Sequence, residues 1–169
     1  MRFLTRDWHA GKLPDDEGED ISAAYRAHRS SVLANLPVAF REFVQTVDIH
    51  DALVREIRLD RMRGTLELEL RAGDLQAGYF DLVIRYAGID LRTLDTTVLA
   101  SIGRETRAEA LYHEADLAPG ELYEHRWLWW PYQDLDIRFR AFDFVVVPRP
   151  DRAFERSSDA FVEIRSLAV

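Results

Sequence analysis

The sequence predicts an α+β fold in which N-terminal helices pack on a bent antiparallel sheet of six or seven strands. Three observations carry this. Apolar residues recur at helical spacing up to residue 49, the period falls to two from residue 52, and the alternating segments are joined by short turns rich in Gly and Pro. Strands that are neighbours in sequence and joined by tight reversals form a meander, one face of which the helices can cover. The length of 169 residues fits one domain, divided into a helical region 1–49, a sheet 52–148 and a tail 150–169.

In chain order, Pro14-Asp15-Asp16-Glu17-Gly18-Glu19-Asp20 is expected as a solvated acidic loop, since like charges this close do not pack. Asp20 would then cap a helix running to about Leu33, its carboxylate accepting orphan amide hydrogens. A second helix is expected from Leu36-Pro37, with Phe40, Phe43, Val44 and Val47 on one face. The first two strands meet in a hairpin around Arg61-Met62-Arg63-Gly64, which sets Leu59 opposite Leu66 and Ile57 opposite Leu68. In that register Arg55 would face Leu70, a departure for a strand end or a snorkelling side chain to absorb.

A third strand carries Phe80, Leu82, Ile84 and Tyr86 on one face. Residues 91–104 suit a short helix through Leu94, Val98, Leu99 and Ile102, although Thr96-Thr97-Val98 weakens it. Further strands are expected near 108–117, 121–130 and 134–147. The first pair turns at Ala118-Pro119-Gly120-Glu121 in type II geometry, and the second at Trp130-Pro131-Tyr132-Gln133. In the last strand the apolar phase changes between Phe139 and Phe142, which a bulge near Arg140-Ala141 would explain. The tail after Pro150 reads as a strand or a short helix.

Composition narrows the function classes. With no cysteine the chain has no disulfide, thiolate ligand or cysteine nucleophile. A net charge of −8 and a pI near 5.1 argue against nucleic acid, whose binding rests on phosphate neutralisation. Lys12 is the single lysine among 22 basic residues, a bias that reads as codon composition before it reads as anion binding. No apolar run reaches the roughly 18 residues of a membrane-spanning helix, and Met1 to Trp8 lacks the apolar core of a secretory signal. The expectation is a cytoplasmic protein with no membrane association; oligomeric state is left open.

The candidate chemistry lies in His50-Asp51, Tyr112-His113-Glu114 and Glu124-His125. A two-residue type II turn at Pro119-Gly120 would put Glu114 opposite His125 and Tyr112 opposite Trp127, with His113 on the other face. A slip of one residue would instead set His113 directly against His125, a more convincing metal pair. A carboxylate beside an imidazole can fix a tautomer, raise basicity or supply two ligands for a divalent cation, and His50 and Asp51 could approach the same place. The same cross-strand pair is also common structural material. No HExxH, nucleophile elbow, P-loop or dinucleotide fingerprint is present, so no catalytic residue, metal or cofactor is assigned. Ser101 and Ser157-Ser158 have no base arranged beside them in sequence. Trp127 and Trp129 alternate with Trp130 and read either as a recognition platform or, in the favoured reading, as core.

The opening Met1 to Arg6, Leu36-Pro37, His50-Asp51, Tyr112-x-Glu114 and Glu124-His125 together resemble a bacterial family of unknown function. Its members open Met-[Arg/Lys]-[Phe/Tyr]-[Phe/Leu]-Thr-[Lys/Arg] and carry a His-Asp before the first strand. The similarity would span most of residues 1–148. This chain departs in a shorter helical N-terminal region and in having Glu124 directly beside His125. The resemblance implies a single domain of bacterial origin and no particular activity.

Two expectations follow. The first is a non-enzymatic protein-binding module, of immunity or regulatory type, whose partner is a protein recognised through Trp127 and Trp129. The alternative is a metal-dependent enzyme or small-ligand binder built on His50, Asp51, Glu114 and His125, with Tyr112 counted among the candidate ligand-binding residues.

Overall fold

A computed structural model of the chain describes residues 1–131, 133–156 and 158–165. Tyr132 and Ser157, named above in a turn and a serine pair, lie outside the described residues. The element order is α1 (Arg6–His9), α2 (Asp15–Leu33), α3 (Val38–Thr46), β1 (Ala52–Asp60), β2 (Thr65–Asp74), β3 (Gly78–Ala87), α4 (Thr96–Arg104), β4 (Glu109–Ala118), β5 (Leu122–Trp130), β6 (Gln133–Phe139), β7 (Ala141–Arg149) and β8 (Phe161–Ile164). The fold is α+β, and among the described residues the sheet has eight strands instead of six or seven. The added strand comes from the tail: β8 pairs with the second half of β1, and does so in parallel.

The strand order β6-β5-β4-β1-β2-β3-β7 places at the two ends of the sheet segments that are consecutive in the chain. Only Arg140 separates β6 from β7, at the position where the apolar phase changes. The sheet therefore curls almost into a barrel. The amide of Asp90 donates to the Arg138 carbonyl at 2.9 Å and that of Arg140 to the Ala87 carbonyl at 3.0 Å, joining the end of β3 to both halves of the bent strand. Such closure leaves few open edges for a sheet this size to protect.

The hairpin of β1 and β2 has the register the sequence predicts, Leu59 opposite Leu66 and Ile57 opposite Leu68, with Gly64 at φ 61°. Asp60 accepts the amides of Met62 and Arg63 at 2.9 and 3.0 Å, which tightens this turn. Arg55 does not face Leu70. A bulge there pairs Val54 with Leu70 and Glu56 with Glu69, turning the guanidinium out to the Asp81 carboxylate at 2.8 Å.

One helix expectation is corrected and one ambiguous stretch is resolved. The stretch 14–20 is not a loop: α2 starts at Asp15, directly after Pro14. Asp15, Asp16 and Glu17 fall in its first turn, where carboxylates face unpaired amides, so the charge run stabilises the helix it was expected to exclude. The weak pattern at 91–104 forms α4, because Asp95 accepts the amides of Thr97 and Val98 at 2.9 and 3.2 Å. Helix α3 lays Phe40, Phe43 and Val44 into the mouth of the barrel, as its spacing predicts. They join the inward residues of the strands in one continuous core.

The tail is fastened by arginines. Arg71 donates to the carbonyls of Asp151 and Ala153 at 2.9 and 2.6 Å, and Arg156 to those of Gly103 and Glu105 at 2.9 and 2.6 Å. Gly103 in α4 lets β8 approach: a Cβ there would stand 2.5 Å from the Phe161 Cβ and 2.8 Å from its amide nitrogen. Gly103→Ala is expected to cost roughly 1–3 kcal/mol in urea unfolding by forcing β8 off α4. The same change should lower hydrogen-exchange protection at Phe161–Ile164. An unchanged unfolding midpoint would show that the contact is soft.

Candidate functional site

The hairpin of β4 and β5 decides which of the candidate residues meet. Its loop is three residues, not two, because Glu121 follows Gly120 in left-handed conformation, at φ 58° after 79°. Ala118 consequently pairs with Leu122, and the register moves by one from that expected: Ala115 faces His125, Glu114 faces Arg126, His113 faces Trp127 and Tyr112 faces Leu128. The shift brings His113 and His125 to the same face as diagonal neighbours and sends Glu114 to the opposite one.

On the inner face, four side chains form a hydrogen-bonded chain. Trp127 Nε1 donates to the Tyr86 hydroxyl at 3.2 Å, that hydroxyl lies 2.8 Å from His125 Nδ1, and His125 Nε2 lies 2.9 Å from His113 Nδ1. Strand β3 supplies Tyr86, β5 supplies His125 and Trp127, and β4 supplies His113. Aromatic rings enclose the middle of the chain, with centroids of Trp127, Phe40 and Phe43 at 4.4, 5.0 and 5.5 Å from that of His125.

His125 is 0% exposed, and loss of hydration holds its pKa well below the ordinary imidazole value, with His113 adding to the effect. Desolvation, helped by the Arg29 charge and opposed by Asp48, lowers His113 to about 4. Burial pushes the Tyr86 phenol well above 10, partly offset by the Trp127 hydrogen bond. All three groups are uncharged at neutral pH.

His113 keeps a partly exposed edge and lies at the floor of a cleft of about 500 Å³. Leu4, Trp8 and Tyr25 wall it from the N-terminal segment and helices, Val47–His50 from the α3–β1 connection, and Leu111–His113 from β4. Three consecutive strand residues line one cleft because the pairing of β4 with β5 shifts between Ala110 and Tyr112, leaving Leu111 as an extra residue. At the mouth the Tyr112 ring meets Trp8 at 5.2 Å, edge to face, and His50 at 5.4 Å.

His50 and Asp51 are paired with each other at 3.1 Å, and both are exposed. His50 belongs to the cleft rim. Glu114 is elsewhere. Its carboxylate is 1% exposed and accepts the amides of Arg2, Phe3 and Leu4 at 2.8, 2.7 and 2.7 Å, fixing the segment that carries the cleft wall. The four residues His50, Asp51, Glu114 and His125 are thus not one cluster. Among the described residues, no group of three or more His, Asp or Glu side chains is arranged to hold a metal ion.

Trp127 and Trp129 are 0% exposed and stacked at 5.2 Å and 20° in the core, so neither offers a recognition platform on the surface. The sequence placed His113 in a site only in the alternative register, and assigned Tyr86, Trp8 and Tyr25 no part in one. Tyr86 sits on the inward face predicted for β3; the alternative register for the β4–β5 hairpin set the two histidines directly opposite, whereas the observed slip runs the other way and makes them diagonal neighbours. That hairpin is where the signal lay. Among the described residues, no helix is long and apolar enough to cross a membrane. No family model, curated protein or solved structure matches the chain.

Proposed function

We propose that the protein binds a small molecule in the cleft above His113. The observation that carries this reading is the cleft itself. Its volume lies within the roughly 300–1,000 Å³ range of small-molecule sites. It joins three aromatic rings, Trp8, Tyr25 and Tyr112, to one polar group fixed from behind by a buried hydrogen-bonded chain. A rigid polar group among apolar walls is how such sites orient a ligand. The protein-binding module rested on the acidic charge, the tryptophan-rich strand and the absence of a catalytic motif; with Trp127 and Trp129 buried the strand no longer supports it, whereas the cleft supports a small ligand.

Ser22 gives a test that leaves the core alone. It is half-buried on α2, lines the cleft, and donates only to the Gly18 carbonyl at 2.9 Å. Titration with Nile red, a neutral fluorescent apolar probe, is expected to show one saturable site on the wild-type protein. Ser22→Trp should weaken it about tenfold or more by filling the cleft. Absent binding, or binding indifferent to Ser22→Trp, would contradict the reading.

A further inference from the structure

The buried chain of hydrogen bonds has a direction. An indole nitrogen can only donate, so Trp127 occupies a lone pair of the Tyr86 oxygen. The phenol has one hydrogen, and His125 Nδ1 at 2.8 Å is its acceptor. Neutral His125 then carries its hydrogen on Nε2 and donates to His113 Nδ1 at 2.9 Å. Neutral His113, whose Nδ1 is taken, carries its hydrogen on Nε2. The opposite direction would leave the phenol hydrogen unpaired inside a fully buried site, at the full cost of an unmade hydrogen bond.

The surroundings add a second constraint. Leu4, Ile49 and Leu111, all buried, form the cleft wall around His113. The charges lining the rim, Arg26 and Asp48, are of opposite sign, and Arg29 is engaged with the Val44 carbonyl. A carboxylate at the floor would lose its hydration against only the through-space charge of Arg29, which does not line the cleft, and an ammonium group would meet both that charge and a donor.

We propose that the cleft selects a ligand with an apolar or aromatic body bearing an uncharged carbonyl acceptor, to which His113 donates through Nε2–H. The proposal rests on the cleft being a ligand site. His113 is the specificity-determining residue, and Tyr86 and His125 are positioning residues that act through it without reaching the ligand.

The test is a matched series measured by displacement of Nile red: 2-acetylnaphthalene, 2-ethylnaphthalene, 2-naphthoate and 2-naphthylmethylammonium. The ketone is expected to bind roughly three- to tenfold more tightly than the hydrocarbon, the worth of one added hydrogen bond. The ammonium compound should bind most weakly. Tyr86→Phe removes the hydrogen that sets the direction, and should bring the ketone-to-hydrocarbon ratio close to one while hydrocarbon affinity is kept. A merely structural role for Tyr86 would move both affinities together. Equal binding of ketone and hydrocarbon by the wild-type protein, or tightest binding of either ion, would overturn the ligand class and leave the cleft as a site. Failure of the probe and all four compounds to bind would overturn both. A ratio unchanged in Tyr86→Phe would overturn the role of the buried chain. If that variant does not fold, the wild-type ratio decides alone.

Discussion

Glu114→Ala is expected to lower the unfolding free energy by about 3–5 kcal/mol, the largest effect of any single polar substitution in the molecule. The carboxylate is buried and accepts three backbone amides from one short segment. Hydrogen bonds to an ionised acceptor are worth about 1.5–3 kcal/mol each, and removing the acceptor leaves the amides of Arg2, Phe3 and Leu4 to find water or stay unpaired. Glu114→Gln keeps the shape but turns an NH2 group towards one of those amides, so roughly half the loss is expected. Urea unfolding of both variants measures this. Because Leu4 and Trp8 wall the cleft, Nile red affinity should fall in Glu114→Ala even where the fold persists. A loss under about 1 kcal/mol would show that the N-terminal segment is held by its apolar contacts.

The second large effect is a loss of stability in mild acid. The folded-state pKa of His113 is depressed from 6.5 to about 4, and that of His125 lies well below 6.5. The unfolded chain therefore binds more protons than the folded one in this interval. Stability is full above about pH 6.5 and declines as pH falls towards 4. The slope reaches about 1.4 kcal/mol per pH unit for each histidine. Paired carboxylates such as Asp81, held low by Arg71 and Arg149 against the opposing effect of burial, act only below their ordinary value of 3.8. Glu109 and Asp136, whose carboxyls burial raises, act in the opposite sense as pH falls, so the histidine effect is read as the difference between the wild-type and His113→Phe slopes. Urea midpoints between pH 7.5 and 4.5 should fall for the wild-type protein and more gently for His113→Phe. Equal slopes would place the histidines in contact with water.

The fold was legible wherever local chemistry and apolar pattern agreed. Gly64 and the two alternating runs around it set the register of β1 and β2, and the phase change at Arg140 located the bend that closes the sheet. Where two local signals competed, the sequence misled. Acidic residues at 15–17 looked like a loop because repulsion was counted and their position at a helix N-terminus was not. The parallel pairing of β8 depends on Gly103 and on arginine contacts across more than fifty residues, which no local pattern encodes.

The site turned on one residue of register. Pro119-Gly120 suggested a two-residue turn, and the left-handed Glu121 lengthened it. That single residue exchanged an expected Glu114–His125 pair for a His113–His125 pair, and made Glu114 a clasp for the N-terminus. Tyr86 could be placed on the inner face from alternation alone, but its hydroxyl meets His125 only because the sheet curls far enough to bring β3 and β5 together.

The direction of the buried chain is read most directly from the tautomers of the two histidines, which ¹⁵N chemical shifts and long-range couplings of the imidazole rings report in the unliganded protein at pH 7. His113 and His125 are both expected to be neutral, with hydrogen on Nε2 and a bare Nδ1. A hydrogen on Nδ1 of His113, or an imidazolium at either position, would contradict that direction.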